Sequence, residues 1–184
     1  MNQMVVLKKT DKLTFSFSKS FDIKFLAPIS SYVDWKLSNG YWDDYNELFH
    51  VAKLVDSLLN NPELWFDTHT IIKNNIVVGV LLIVGGKISK MENKYEIIDE
   101  KHSLLLKYFH VVEKGKGIGS HWIKNVIIPY YKNQGYNQIY VNSSHPKSFS
   151  FYRNFGKLIA TYEQNSDNKL FKRTGECFKI ELNT

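Results

Sequence analysis

The residues from Lys114 to Ser120 have the types and spacing of a phosphate-binding turn. They read Lys-Gly-Lys-Gly-Ile-Gly-Ser, two residues after the apolar, strand-like run from Leu104 to Val111, and a helical pattern continues from Ser120. The first N–H groups of a helix have no intrahelical acceptor, and the helix dipole adds partial positive charge there. Glycines let a ligand approach this backbone closely, while Lys114 and Lys116 add further positive charge. The segment therefore predicts a strand, a turn and a helix start that together bind phosphate groups.

Two common phosphate-binding motifs do not fit this spacing. A P-loop requires G-x-x-x-x-G-K-[ST], but Ile88 follows Gly86 and Lys87, and no glycine stands at the required distance before them. A dinucleotide-binding turn requires G-x-G-x-x-G, and Gly119 comes one residue too early for it. A connection that binds no ligand stays open as an alternative, because one short glycine motif is weak evidence by itself.

The turn resembles the signature of the GNAT acyltransferase superfamily, [RQ]-x-x-G-x-[GA] after a central strand, with Lys114 in place of the usual Arg or Gln. The order of elements after the turn also resembles the family. A helical segment is followed by a strand, Gln138 to Asn142, and then by a short helix that carries an aromatic-Tyr pair, Phe151-Tyr152. Phe155-Gly156 resembles the family's Gly-Phe pair in inverted order. The resemblance covers about residues 103–156 and is topological elsewhere. It implies a GNAT-like α/β or α+β fold with a mixed central β-sheet flanked by helices.

The same resemblance implies a site for acetyl-CoA. In the family, backbone amides of the turn hold the pyrophosphate of the coenzyme. The corresponding amides here are those of Lys114, Gly115, Lys116, Gly117, Ile118, Gly119 and Ser120. Amides at the end of the central strand hold the pantetheine and polarise the thioester, here those of Phe109, His110 and Val111. No metal is implied.

Candidate catalytic side chains follow partly from the resemblance. Tyr152 stands at the tyrosine that protonates the departing thiolate in many members, although it could instead be a packing residue. The base of the family often lies near the start of the central strand, where Ser103 cannot serve, so the neighbours His102, Glu100 and Asp99 are candidates, directly or through water. His145 replaces an Asn that commonly contacts the coenzyme or substrate.

The length and composition of the chain limit the number of domains and the class of protein. The chain has 184 residues, of which 43% are hydrophobic, and this suits one compact domain, 1–184. The longest apolar run, Ile76 to Val84, is too short to cross a bilayer, so we expect a soluble cytoplasmic protein. The lone Cys177 has no cysteine partner and is expected to be a small packing residue.

The net charge of +6 allows anionic partners, but it does not single out nucleic acid. The lysines are spread along the chain rather than grouped in a basic tail. A coenzyme with several phosphates would use part of this charge, so nucleic-acid binding stays a minority hypothesis.

Hydrophobic spacing predicts the elements of the first half. Residues 1–20 form a polar lead-in with a possible edge strand at Leu13 to Phe17, and Phe21 to Leu26 forms a second strand closed by Pro28. Helical spacing runs from Ile29 to Asn60 with a break at Asn39-Gly40. His69 to Lys73 and Ile76 to Val84 form a hairpin around Asn74-Asn75.

The second half begins with Lys87 to Lys101, a polar stretch expected to be a flexible insertion or extended strand ends. Strand Ser103 to Val111 precedes the turn. The next helix has an apolar stripe and should be kinked or ended by Pro129, with Gly135 stopping the remainder. Strand Tyr136 to Asn142, a helix opened by Pro146 and a closing hairpin, 158–162 with 171–182, complete the chain.

The early helical region lines the acceptor side in the GNAT family. Aromatic residues cluster there, although most of them could be packing residues: Tyr41, Trp42, Tyr45, Trp65 and Phe66. Asp43, Asp44 and Glu47 could attract a cationic amine or form a solvated helix face. The sequence thus predicts an N-acetyltransferase that moves an acetyl group from acetyl-CoA to a primary amine, as a monomer or a homodimer. The alternative is a non-catalytic GNAT-like module that binds CoA or a protein.

Overall fold

A computed structural model describes residues 4–92 and 94–183, and its centre is one eight-stranded sheet. The strand order is β1-β2-β3-β4-β5-β6-β8-β7, and among the described strands only β5 and β6 are parallel neighbours. The strands are β1 (Val5–Lys9), β2 (Thr14–Ser18), β3 (Leu64–Lys73), β4 (Ile76–Gly86), β5 (Ser103–Val111), β6 (Gln138–Ser143), β7 (Lys157–Asn165) and β8 (Lys172–Glu181). This confirms the mixed central sheet flanked by helices.

Helices cover both faces of the sheet. They are α1 (Ala27–Ser38), α2 (Glu47–Leu59), α3 (Ile118–Trp122), a π turn (Ile123–Ile127), α4 (Ile128–Asn133) and α5 (Pro146–Arg153). Alternate residues of β5 serve the two faces: Leu104 and Leu106 belong to the core layer with α3 and α5, and Leu105 to the layer with α1 and α2. None of the described helices is both long and apolar enough to cross a membrane.

Pro129 was expected either to kink or to end the helix that follows the turn. The helix does not end there, because it continues through Pro129 into α4. The π turn before Pro129 is closed by the Ile128 N–H, which donates to the Ile123 carbonyl, one residue further back than in an α-helix. Pro129 then occupies the first turn of α4, where no N–H is needed. The helix ends after Asn133, and Gly135 follows with a φ of +88°, as expected for a helix stop.

Two expectations for the N-terminal part are wrong. Phe21 to Leu26 is not a strand, because Asp22 caps a 3₁₀ helix at Ile23–Leu26 in which the adjacent Phe25 and Leu26 are both buried. Pro28 lies in the first turn of α1 and is itself buried.

The polar lead-in is also shorter than expected. The strand expected near Leu13 to Phe17 exists as β2, but β2 pairs with both β1 and β3, so β1 at Val5–Lys9 forms the edge. Residues 1–3 of the lead-in lie outside the described residues.

The stretch from Lys87 to Lys101 does not extend the neighbouring strands. β4 ends at Gly86 and β5 begins at Ser103, and between them lie two 3₁₀ turns, Ile88–Lys90 and Glu100–His102. Ile88 and Glu92 are buried, so part of this segment packs against the body of the protein. The expected hairpins are present, with β3, β4 and β7 longer than expected and β8 slightly shorter. Cys177 is fully buried in β8, as a packing residue should be.

Candidate functional site

Strands β5 and β6 separate halfway along their length. They are paired only from Ser103 with Gln138 to Leu106 with Val141, whereas β5 continues to Val111. Over residues 107–111, the side of β5 that faces β6 therefore has no strand partner in the described part of the chain. Backbone N–H and C=O groups at such an opening are available to a ligand.

A β-bulge in β5 coincides with this opening. On the β4 side, His110 is opposite Val80 and Lys107 is opposite Leu82, so two residues of β5 face the single Leu81. One of them, Tyr108, has a φ of +51°, a left-handed conformation that costs an ordinary residue about 1–2 kcal/mol. The bulge redirects the second half of β5 and its amides away from regular pairing.

The glycine turn beyond β5 is open as the sequence predicted. Gly115 and Gly117 have φ values of +76° and +71°, and a Cβ at either would meet no described atom within 4 Å beyond its chain neighbours. Gly117 is the N-cap of α3, which has no side-chain cap in the described structure. The space beside the first N–H groups of the helix can therefore take a phosphate group, and a larger residue would fill it.

Gly119 joins the turn to the bulge by close packing. A Cβ at Gly119 would lie 2.9 Å from Cζ of Phe109, nearer than real side chains approach. Phe109 in turn stacks on Phe151 of α5, with ring centroids 5.4 Å apart. The turn, the bulge and α5 are thus held in one arrangement.

The lysines of the turn differ in their surroundings. Lys114 Nζ lies 3.9 Å from the centroid of the Tyr32 ring on α1. Lys116 Nζ lies 3.0 Å from the carboxylate of Glu113, which also pairs with Lys73. Hydrogen bonds from Lys73 and then Lys116 lower the pKa of Glu113 to about 2. Lys114 is therefore the lysine whose charge is less neutralised by the turn itself.

A buried ammonium organises the segment between α1 and α2. Lys36 Nζ, on a side chain that is 2% exposed, donates to Asp43 Oδ1 at 2.7 Å, to the Tyr45 carbonyl at 2.7 Å and to Glu47 Oε1 at 2.8 Å. Burial alone would lower the pKa of Lys36, but its hydrogen bonds to Asp43 and Glu47 outweigh burial and raise it. The segment is fixed over the opening of β5 and β6 by this charge.

His145 joins the same cluster from the end of β6. Its Nε2 lies 3.5 Å from Glu47 Oε1 and its Nδ1 lies 3.9 Å from Asp43 Oδ2. Burial alone would raise the pKa of Glu47, but hydrogen bonds from His145 and Lys36 lower it, so Glu47 is a carboxylate. Ligand atoms of Asp43, Glu47 and His145 lie within 4.8 Å of one another and could hold a metal ion, although the Lys36 ammonium already pairs with both carboxylates.

Side chains from the open half of β5 meet this cluster. The Tyr108 and Tyr45 hydroxyls are 3.4 Å apart, and the His110 ring lies 4.9 Å from that of Tyr32. Burial, with a smaller effect from Lys114, lowers the pKa of His110 to about 4, so its imidazole is neutral at pH 7. The opening is thus lined by aromatic rings and by a paired imidazole and carboxylate.

The loop between β7 and β8 covers one side of this region. Asp44 Oδ2 accepts a hydrogen bond from the Asn168 N–H at 2.8 Å, and His50 Nε2 lies 2.7 Å from Asp167 Oδ2. All three acids, Asp43, Asp44 and Glu47, therefore have partners within the protein rather than forming a solvated helix face. Of the five aromatic residues noted in the sequence, Tyr41 and Trp42 are exposed, whereas Trp65 and Phe66 pack in the core layers.

The sequence-predicted catalytic residues are not brought together. Tyr152 lies on α5 near the turn, packed between Phe151 and Phe178 at 5.2 and 5.6 Å, and burial raises its pKa above the ordinary value. His102 and Glu100 lie before β5. His102 is nine residues from Val111, or about 30 Å at about 3.3 Å per residue, and Glu100 is two residues further along the chain. His102 contacts Asp99 at 2.8 Å, and Glu100 accepts from the Ser89 N–H at 2.8 Å.

Sequence reasoning missed Lys36 and the pairing of Glu47 with His145. Lys36 gave a usable signal, because it occupies the buried spacing of Ile29 and Val33 on α1, where a charge requires partners. Tyr108 gave no such signal, because nothing in the sequence around it indicates a left-handed backbone conformation.

These features together define a fold class. The chain superimposes on solved structures of GNAT acetyltransferases over more than nine tenths of its length and has their fold. Solved structures agree. An N-acetyltransferase of Staphylococcus aureus Mu50 superimposes with a TM-score of 0.57 at 13% identity, over 92% of this chain and 99% of that one.

Two further structures also agree. A GNAT-family protein of Desulfovibrio desulfuricans has a TM-score of 0.58 at 12% identity, over 92% of this chain and 99% of the other. The YncA protein of Salmonella typhimurium, solved with its cofactor acetyl-CoA, has a TM-score of 0.53 at 12% identity, over 92% and 94% of the two chains. No family model matches the sequence, and a search of curated proteins finds no match.

Proposed function

We propose that this chain is an N-acetyltransferase that moves an acetyl group from acetyl-CoA to a primary amine. The observation that carries the proposal is the opening between β5 and β6, which ends in an uncapped helix start with two left-handed glycines. A ligand with a diphosphate and a long, hydrogen-bonding arm matches both parts of this site. The neighbouring fold solved with acetyl-CoA supports the same cosubstrate.

Each part of the cosubstrate has a proposed partner. The backbone of residues 114–120 holds the diphosphate, and Lys114 and Lys116 add charge. The main chain of Phe109, His110 and Val111 binds the pantetheine arm along the unpaired side of β5. No metal is required by this arrangement, since the charge that develops on the thioester oxygen can be met by backbone amides.

The acceptor amine would approach from the side of α1 and α2. Its nitrogen forms the bond to the acetyl carbon, the carbon–sulfur bond breaks, and the thiolate leaves with that electron pair. The Tyr152 phenol, which burial keeps protonated, gives its proton to the sulfur.

The proton lost by the amine needs an acceptor at the opening. We assign it to His145, because its imidazole Nε2 lies 3.5 Å from Glu47 Oε1 and the ring is held at the opening by this contact. His102 and Glu100, the candidates from the sequence, lie at the other end of β5. The aromatic rings of Tyr45 and Tyr108 beside His145 favour an amine with an apolar portion.

Thiol release tests the proposal. Acetyl-CoA is incubated with a panel of primary amines that includes alkylamines, amino acids, an aminoglycoside and peptides, and free thiol is measured over time. We expect release with at least one amine class, a kcat at least about 100-fold lower for Tyr152→Phe and His145→Asn, and a nearly unchanged dissociation constant for acetyl-CoA. Binding of acetyl-CoA without thiol release for any amine would instead support the non-catalytic module.

A further inference from the structure

A second cavity lies far from the proposed acetyl-CoA site. It has a volume of about 570 Å³ and is formed where β2 has ended, by the first residues of β3, the end of α2 and the end of α4. The last paired residues of β2 and β3 are Ser18 and Thr68, so Leu64 to Asp67 of β3 lie beyond β2. Across the sheet, this part of β3 is paired with Val84 of β4, which is paired with Leu105 of β5. The cavity therefore lies level with the start of β5, and the glycine turn follows the other end of that strand.

The floor of this cavity contains a buried carboxylate. Asp67 is 5% exposed, and its Oδ2 accepts a hydrogen bond from the Tyr131 hydroxyl at 2.8 Å. In the described part of the chain, Oδ1 has no hydrogen-bond donor and no cationic side chain lies within ion-pair distance. Lys19 also lines the cavity, is exposed, and acts on Asp67 only at longer range. A buried carboxylate with one neutral donor is poorly compensated.

A histidine orients the donor. His69 is fully buried, burial lowers its pKa to about 3, and its Nε2 lies 2.8 Å from the Tyr131 hydroxyl. Because the single hydroxyl proton of Tyr131 points to Asp67, the neutral imidazole must donate from Nε2 to the tyrosine oxygen. The hydrogen bond from Tyr131 therefore favours the ionised form of Asp67 without bringing a cation to it, although burial has the larger effect and raises the pKa of this carboxyl group.

Aromatic rings surround the carboxylate. Trp65, Tyr130, Tyr131 and Tyr136 line the cavity, with the Trp65 and Tyr136 ring centroids 6.1 Å apart and those of Tyr131 and Tyr136 5.9 Å apart. Rings of this kind attract cations through their faces, most strongly where water is partly excluded. A carboxylate behind several aromatic rings is complementary to an organic cation.

We infer that this cavity binds a small organic ammonium ion, held by the charge of Asp67 and by the faces of Trp65, Tyr130 and Tyr136. The site is separate from acetyl transfer and does not depend on the proposed function. An inorganic cation would gain little from the rings, and an anion would be repelled by Asp67. The geometry thus favours an alkylated ammonium head group over both.

Tetramethylammonium chloride is the probe, because it has no N–H and cannot be acetylated. The full chain is labelled with ¹⁵N, the indole N–H signal of Trp65 among the four tryptophans is assigned with Trp65→Phe, and the salt is titrated against sodium chloride at equal ionic strength. We expect a saturable shift of the Trp65 signal. 2-Methylpropan-2-ol, a neutral molecule of similar shape, should bind at least about tenfold more weakly, since it lacks the charge.

Three variants separate the contributions to binding. Asp67→Asn keeps the acceptor for Tyr131 and should weaken binding at least about tenfold, whereas Asp34→Asn removes the same charge from the exposed face of α1 and should not. Lys19→Gln removes a competing positive charge and should strengthen binding about twofold or more. Tyr136→Leu removes one ring and should weaken binding with Asp67 intact, which keeps the test valid if Asp67→Asn unfolds.

The contrary results are equally defined. The inference is wrong if tetramethylammonium leaves the Trp65 signal unchanged, if the alcohol binds as well as the cation, or if binding survives both Asp67→Asn and Tyr136→Leu. Weaker binding of tetramethylammonium in Lys19→Gln would show that the Lys19 charge does not compete with the cation, and it would also overturn the inference. None of these results bears on thiol release from acetyl-CoA.

Discussion

The two ends of β5 belong to one continuous strand but have opposite environments. At the first end, Leu105 and Leu106 are paired with β4 and β6 at once, and the Ser103 hydroxyl accepts from Gln138 Nε2 at 2.7 Å. At the last end, the strand bulges at Tyr108, leaves β6 and runs into the glycine turn. We call these the closed end and the open end of β5.

The comparison shows how one strand serves both stability and binding. At the closed end every neighbouring strand is present, so the backbone polar groups are satisfied within the sheet. At the open end they are left for water or a ligand, and the left-handed Tyr108 adds a conformational cost. Buried contacts hold the open end in place, chiefly Phe109 against Gly119 and the Lys36 cluster.

The largest effect should come from filling the open end. Gly117→Val places a side chain where the diphosphate is proposed to bind, and the affinity for acetyl-CoA measured by calorimetry should fall at least about 100-fold, or about 3 kcal/mol. The same change at Gly135 is the matched control. Gly135 also has a positive φ, +88°, and open space around its Cβ position, but it lies at the other end of the helix that follows the turn.

Both valine variants should lose similar stability, about 1–2 kcal/mol, because each forces a left-handed β-branched residue. Chemical denaturation measures this shared cost. Only Gly117→Val should lose acetyl-CoA binding. Equal affinities in the two variants would show that the turn does not hold the coenzyme and would remove the basis of the proposed function.

A smaller effect concerns His110, which is half-buried at the open end. Its pKa of about 4 in the folded protein lies below the ordinary 6.5, so between these values the unfolded chain binds more protons than the folded one. The free energy of unfolding should therefore fall as the pH drops from about 6.5 to 4, by about 2 kcal/mol from this residue.

Denaturation curves at several pH values measure this slope. His110→Gln should flatten it in that interval, and Tyr32→Leu should flatten it partly, because it uncovers the imidazole. His69, whose pKa is about 3, supplies a separate loss that persists in both variants. An unchanged slope in His110→Gln would mean that the imidazole at the open end is solvated rather than buried.

The local sequence was sufficient to predict strand β5 and the glycine turn that follows it. The bounds of β5, Ser103–Val111, follow from its apolar run, and the left-handed conformations of the turn follow from Gly115 and Gly117. The opening between β5 and β6 could not be predicted in the same way, because it depends on where distant β6 stops pairing. The left-handed Tyr108 depends on the same long-range register.

The candidate acceptor site was harder to predict because its residues come from four segments. Lys36, Glu47, Tyr108 and His145 meet only in the folded protein. Pattern reasoning placed Glu47 on a helix face but could not supply the ammonium that neutralises it. It also took Phe21 to Leu26 for a strand, because a short apolar run does not distinguish a strand from a buried 3₁₀ turn.

The smallest effect is expected at the closed end, where the sequence placed candidate bases. His102→Gln and Glu100→Gln should change kcat and the acetyl-CoA dissociation constant by less than about twofold, because both side chains are exposed or tied to neighbours about 30 Å along the strand from Val111. His145→Asn at the open end is the comparison variant under the same assay. A loss of kcat of about tenfold or more in His102→Gln or Glu100→Gln, with acetyl-CoA binding intact, would place proton transfer at the closed end. Both ends of β5 would then have to lie near one bound substrate, and the assignment of His145 would fail.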